Sequence, residues 1–298
     1  MLKLDGIFPP LPTSFDSSEN LALDKMRENI KKLREYKLSG FLVLGSNGEL
    51  VNLNEKEKFA VYDMARDAIP SNKLMIAGTG GQSTRETIAL TKSAANAGTD
   101  AVLVLNPSYY RGLMSTASLV SHYFSVAETS PVPVIIYNMP ASSGLDMNAD
   151  TIVEIARHPN IIGMKDSGGN MVKMGDIKFR VRPEFQILAG SAGFLLPAMS
   201  VGAIGGILAL ANIAPIQCIG IYEAFLNGDL NKARKIQLEM IPVNSAVTSK
   251  WGIPALKEAM DHLGFYGGPT RKPILPVTPD VSSQLLNLLN THNIIPLP

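Results

Sequence analysis

The chain of 298 residues lacks most of what would point to several common function classes. It has one cysteine, Cys218, so no disulfide can form within it, which fits a reducing compartment. Charge of neither sign is in excess: 27 Lys and Arg stand against 26 Asp and Glu, a formal net charge of +1. No basic face for nucleic acid and no run of like charge is present. The histidines, His122, His158, His262 and His292, lie far apart without ligand spacing, so no metal site is expected. No uninterrupted apolar stretch reaches membrane-span length. The longest weakly polar run, 201–216, is cut by Gly202, Gly205, Gly206, Asn212 and Pro215. The N-terminus has neither an apolar signal-peptide core nor an Arg- and Ser-rich presequence. The expected location is cytoplasmic, or mitochondrial where a presequence has been removed.

What is present is a composition for a large core, with 46% hydrophobic and 18% charged residues. Short apolar runs alternate with longer amphipathic segments. The runs at 40–44, 74–77, 101–105, 134–137, 161–165, 185–188 and 203–210 read as strands, with a first strand and proline-rich loop over 6–15. Helices are expected over 23–36, 54–68, 83–97, 115–129, 148–157, 171–180 and 193–199. In the first, Leu23, Met26, Ile30 and Leu33 recur at helical spacing; Asn54 with Glu57 forms a capping-box pattern, and Ser83 caps the third. Beyond residue 215 only helical patterns remain, over 216–226, 230–241, 254–263 and 281–289.

Roughly eight strand–helix units, with strands uncut by polar alternation, predict an α/β fold: a parallel (β/α)8 TIM barrel over 1–226. An open doubly wound sheet is the alternative, but it would concentrate its glycine-rich turns after the first strand. Here they are spread over many strand ends. The remainder, 227–298, is expected to be a helical appendage packed on the barrel or lining a subunit contact.

In such barrels chemistry sits on the loops after the strands. Those loops carry Ser46 and Asn47, Tyr109 and Tyr110, Tyr137, Lys165 and Ser167, then Gly190 and Ser191. Lys165 ends the apolar run Ile161-Ile162-Gly163-Met164, where a buried ammonium is costly. Such a lysine is either paired, with Asp166 or another carboxylate, or neutral and nucleophilic. Convergence with a tyrosine and a set of hydroxyl and amide donors, without a metal, favours Schiff-base chemistry on an oxo acid. Free lysine titrates near roughly pH 10.4, and desolvation at a strand end would lower that value. A protonated imine is an electron sink, so a carbon–carbon bond beta to it can break or form through an enamine. A phenol in reach can shuttle the protons. Backbone N–H groups of the 45–48 loop can hold a carboxylate.

Other features have plainer explanations. Gly78-Thr79-Gly80-Gly81 and Gly168-Gly169 read as tight turns, since neither makes a phosphate-loop or dinucleotide fingerprint. Glu49 reads as a loop or helix-cap carboxylate in preference to a base. Lys250 beside Trp251 belongs to a surface or interface. Asp166 alternates to the opposite side of the strand from Lys165.

Gly45-Ser46-Asn47-Gly48-Glu49, Tyr137-Asn138-Met139-Pro140, the stretch Gly163-Met164-Lys165-Asp166-Ser167-Gly168-Gly169 and Leu188-Ala189-Gly190-Ser191 resemble the motifs of the dihydrodipicolinate synthase / N-acetylneuraminate lyase family, lysine-dependent barrel aldolases acting on pyruvate. The resemblance runs nearly end to end. It is closest to the 4-hydroxy-2-oxoglutarate aldolase branch, through Ser108-Tyr109-Tyr110-Arg111-Gly112-Leu113-Met114-Ser115, Ala189-Gly190-Ser191-Ala192-Gly193-Phe194 and Phe265-Tyr266-Gly267-Gly268-Pro269. It implies Lys165 as imine former, Tyr137 as proton shuttle, and Ser46 and Asn47 as holders of the pyruvate carboxylate. Ser167, Gly190 and Ile207 match lining positions. Tyr109, with Tyr110 as alternative, matches a tyrosine lent to a neighbouring subunit, which implies a homo-oligomer, dimer or tetramer. The synthases carry an arginine two residues after the proline of the tyrosine motif. Here Pro140 is followed by Ala141, Ser142 and Ser143, which counts against synthase activity. The expected activity is reversible cleavage of 4-hydroxy-2-oxoglutarate to pyruvate and glyoxylate, without a cofactor, metal, nucleic acid or membrane. The partners would be a small 2-oxo acid and an aldehyde. A sister aldolase of the family and a non-catalytic oxo-acid-binding barrel are the alternatives.

Overall fold

Strands form where apolar runs can be buried on both faces, and the computed structural model places eight of them in one ring. It describes residues 2–295; the first residue of the expected barrel segment and residues 296–298 of the expected appendage lie outside these. The strands are β1 (Gly6–Phe8), β2 (Gly40–Val43), β3 (Leu74–Gly78), β4 (Ala101–Leu105), β5 (Val134–Asn138), β6 (Ile161–Asp166), β7 (Gln186–Ala189) and β8 (Gly205–Ile207). All pair in parallel, in the order β1-β8-β7-β6-β5-β4-β3-β2. The chain after β1 closes the ring on β2, where Leu42 N–H donates to Pro9 O (3.0 Å) and Leu11 N–H to Leu42 O (2.8 Å). The sequential order, with β1 beside β8, is that of a TIM barrel and not of an open doubly wound sheet.

Alternation along each strand divides the core into two shells. Phe8, Leu42, Ile76, Leu103, Ile135 and Leu188 fill the inside of the ring. Ile7, Phe41, Val43, Val102, Ile136 and Ile187 face the surrounding helices. The helices start where the sequence puts their caps. Before the helix Glu55–Ala68, Asn54 Oδ1 accepts from Glu57 N–H (3.0 Å) while Asn54 N–H donates to Glu57 Oε2 (2.9 Å). Ser83 Oγ accepts from Glu86 N–H (3.1 Å) before Thr84–Asn96. Each such cap contributes about 1 kcal/mol. The spacing of Met26, Ile30 and Leu33 becomes the buried stripe of Leu23–Leu33.

Two local expectations are corrected, and one short helix is added to them. The strand foreseen over 203–210 is only Gly205–Ile207 and gives way to a 3-10 turn, Ala209–Asn212. Asn212 Nδ2 donates to Ala209 O and Pro10 O (both 3.0 Å), so a side chain competes with the strand ladder for these carbonyls. A short helix, Pro140–Ser143, follows β5 with proline at its first position, where the missing N–H costs nothing. The helix foreseen over 230–241 runs through Pro242 to Ser245, followed by a π-helical turn, Ala246–Lys250, and the helix Gly252–His262. Tertiary bonds override the proline: Gln237 bridges Ala192 O (2.7 Å) and Leu196 N–H (2.9 Å), and Asn244 Nδ2 donates to Ser191 Oγ (3.0 Å). Among the described residues no helix is long and apolar enough to cross a membrane.

Candidate active site

One register shift decides where Lys165 points. Val134 on β5 pairs with Ile161 on β6, but the next residue, Ile135, pairs with Gly163, so β6 carries one extra residue. Without it Lys165 would stand opposite Asn138 on the helix-facing side. With it, Lys165 pairs with Tyr137, and both face the inside of the ring. Asn138 and Asp166 pair on the outer face, where Asn138 Nδ2 donates to Asp166 Oδ1 (2.7 Å) and to Asp146 Oδ1 (2.8 Å). Lys173 pairs with Asp146 and lies 3.8 Å from Asp166. The carboxylate next to Lys165 in sequence is therefore engaged elsewhere, as alternation predicts.

Lys165 is 3% exposed, and its Nζ lies 4.2 Å from the centroid of the Tyr137 ring. Tyr137 OH is 3.2 Å from Ser46 Oγ. Burial alone would raise the Tyr137 pKa, but the charge of Lys165 and hydrogen bonds with Ser46, Lys165 and Ser167 hold it below the ordinary phenol value. Ser167 comes close because Gly190 has no side chain: a Cβ there would lie 2.0 Å from Ser167 Oγ and 2.6 Å from Asp166 O. Ile207, on β8, is buried inside the ring and is not among the described residues lining the cavity.

These residues open into a cavity of about 750 Å³ lined by Ser46, Asn47, Tyr137, Lys165, Ser167 and Gly190 together with Ser142 and Ser191. Lys165 is the one charged side chain among its described lining residues. Asn47 stands beside Ser46 in a 3-10 turn, Ser46–Gly48, whose own bonds use the N–H groups of Gly48 (to Gly45 O, 3.0 Å) and Glu49 (to Ser46 O, 3.1 Å). Those of Ser46 and Asn47 are not engaged by the turn. A second hollow, lined by Gln82, Asn106 and Ser108, shares Ser46 and Tyr137 with the first.

Tyr109 and Tyr110 are not brought into this chain's own cavity. They stand 80% and 67% exposed on the loop after β4, with their rings edge to face at 5.0 Å. Lys250 lies over the Trp251 ring at 4.0 Å in the π-helical turn. Sequence reasoning missed the outer wall, where Asn244, Thr248, Ile253 and Ile274 line the cavity from the segment expected to be an appendage. No local pattern announces them, because the helix that continues past Pro242, the π-helical turn, the next helix and the loop beyond it bring them there one after another. Among the described residues no group of three or more His, Cys, Asp and Glu is placed to hold a metal ion.

Comparison with known proteins agrees with this fold. Residues 3–292 match the dihydrodipicolinate synthetase family. The chain belongs to that family. As a member it is a lyase of the Schiff-base aldolase type. Similar curated relatives include a probable mitochondrial 4-hydroxy-2-oxoglutarate aldolase of Emericella nidulans, 37% identical over 94% of this chain and 92% of that one. A 4-hydroxy-tetrahydrodipicolinate synthase of Methanoculleus marisnigri is 32% identical over 97% and 99%. Among solved structures, a dihydrodipicolinate synthase from Bacillus anthracis superposes with a TM-score of 0.93 at 29% identity, covering 98% of this chain and 99% of its own. A member of the dihydrodipicolinic acid synthase family from E. coli K12, solved with pyruvate, reaches a TM-score of 0.92 at 28% identity, covering 98% and 99%.

Proposed function

We propose that this aldolase reversibly cleaves 4-hydroxy-2-oxoglutarate to pyruvate and glyoxylate through an imine on Lys165. The observation that carries it is the pairing of a buried lysine and a buried tyrosine in a cavity whose described lining offers no second cation. A synthase acting on aspartate semialdehyde needs a grip for that substrate's ammonium and carboxylate; the positions after Pro140 are Ala141 and Ser142, both on the cavity wall. The relative named as a 4-hydroxy-2-oxoglutarate aldolase, at 37% identity, supports the same choice.

In the cleavage direction Lys165 Nζ adds to the C2 carbonyl, with the substrate carboxylate held at Ser46 and Asn47. Tyr137 gives its proton to the carbinolamine hydroxyl, which leaves as water, and the iminium forms. The resulting phenolate takes the proton of the 4-hydroxyl as the C3–C4 bond breaks. Glyoxylate departs, the bond electrons rest in the enamine, and protonation at C3 followed by hydrolysis releases pyruvate. A phenol held below its ordinary pKa suits both transfers. Ser167 and Gly190 line the site, and Ile207 packs in the barrel interior. Tyr109, or Tyr110 beside it, serves a neighbouring subunit's site in a homo-oligomer, dimer or tetramer; the exposure of both rings supports this.

Comparison of aldehyde acceptors with pyruvate tests the proposal. Glyoxylate should exceed aspartate semialdehyde and sugar aldehydes in kcat/KM by roughly a hundredfold or more. Preference for aspartate semialdehyde would make the chain a synthase, and preference for a sugar aldehyde a sister aldolase. Pyruvate binding without turnover of any of them would leave only an oxo-acid-binding barrel.

The pH profile gives a second check. The alkaline fall of kcat/KM reports loss of the Tyr137 proton in free enzyme. Ser46→Ala removes a hydrogen bond that favours the phenolate, so the Tyr137 pKa rises and the fall moves to higher pH. A limb that stays put or moves down contradicts the proton-shuttle role.

A further inference from the structure

The residue that ends the carboxylate-holding turn is a buried acid. Glu49 is 2% exposed, and its Oε1 lies 2.7 Å from Nζ of Lys257, which is 1% exposed on the helix Gly252–His262. Lys257 Nζ also donates to Pro269 O (2.7 Å) and sits 4.6 Å from the centre of the Phe15 ring. The second oxygen of Glu49 accepts Arg271 N–H (3.0 Å). The Arg271 guanidinium forks onto both oxygens of Glu57 (2.9 and 2.8 Å) and donates to Asn52 O (2.9 Å). The segment from Lys257 to Arg271 thus straps down Glu49 and the chain that follows it as far as Glu57. Gly267 lets the strap lie flush, since a Cβ there would meet Lys257 O at 1.9 Å. The Phe265-Tyr266-Gly267-Gly268-Pro269 motif finds its physical role in this close approach.

Two further observations argue that the pair serves geometry. Glu49 adopts a left-handed backbone (φ 52°), which costs a non-glycine residue about 1 kcal/mol and is tolerated where a side chain is needed. A buried ion pair is also weak as a source of stability, because desolvation cancels much of the attraction. Thr13 Oγ1 meanwhile donates to Gly48 O (2.6 Å), so a second contact holds the same C-terminal end of the turn.

We propose that Glu49 and Lys257 are positioning residues, whose buried pair sets the orientation of the Ser46–Gly48 turn and thereby the affinity of the site for the oxo-acid carboxylate. The inference rests on the assignment of that turn and Lys165 to the pyruvate site. It makes the C-terminal strap a determinant of substrate affinity.

The test uses the full chain as Glu49→Gln, Lys257→Met and the double variant, with pyruvate trapped by borohydride, steady-state kinetics and thermal melting. Each single change leaves an unpaired buried group and lowers Tm; the double change leaves no charge unpaired and restores it. The pyruvate concentration for half-maximal trapping should rise about tenfold or more in Glu49→Gln and stay raised in the double variant, since a misplacement near 1 Å costs up to about a hundredfold. Saturated kcat should change by much less. Half-saturation that recovers together with Tm, or never rises, overturns the positioning role; if the single variants fail to fold, the double variant alone decides. A wild-type protein that gains no pyruvate mass at Lys165 instead removes the site assignment itself.

Discussion

Lys165→Arg should abolish turnover, lowering kcat by on the order of 10^4-fold or more, the scale seen when a covalent nucleophile is removed. A guanidinium stays protonated at any accessible pH and cannot form the imine. Arginine keeps a long basic side chain beside the Tyr137 ring, and the cavity has room for it, so the barrel should persist. Borohydride with pyruvate should add mass to the wild-type peptide containing Lys165 and leave the variant unmodified. Turnover near the wild-type rate in the variant would remove every enzymatic proposal at this position.

Tyr137→Phe should lower kcat for cleavage by about 10^2 to 10^4-fold, the usual range for a positioned acid–base group. The change is clean. Phenylalanine keeps the ring that packs inside the barrel and faces Lys165 Nζ at 4.2 Å, and removes only the hydroxyl that meets Ser46 Oγ at 3.2 Å. Stability should shift by only about 1 kcal/mol, because Ser46 is half-buried on a cavity wall where water can replace the phenol. Pyruvate should still be trapped at Lys165, but more slowly. A variant that traps and cleaves at the wild-type rate would show that protons travel by another route.

Much of the frame was legible because its signals are local. Caps at Asn54 and Ser83 act on N–H groups three residues on, and the stripe of Met26, Ile30 and Leu33 repeats with the helical turn. Apolar runs marked the strands, and Ser46, Asn47, Tyr137, Lys165, Ser167 and Gly190 at their ends converged on one cavity, while Tyr109 and Tyr110 did not. The expected boundaries failed where a distant partner decides the outcome. Asn212 turns the chain after β8 by bonding Pro10 O, and Asn244 carries a helix past Pro242 to reach Ser191.

The sequence by itself determined a ring of parallel strands with a lysine and a tyrosine at neighbouring strand ends, because burial pattern and element length are written within a few residues. Only the tertiary structure decided that both point inward. One extra residue in β6 shifts the register, and in a strand a one-residue shift exchanges the two faces. Likewise, Glu49 and Lys257 are remote in the chain, and only the folded strap brings their charges together out of water.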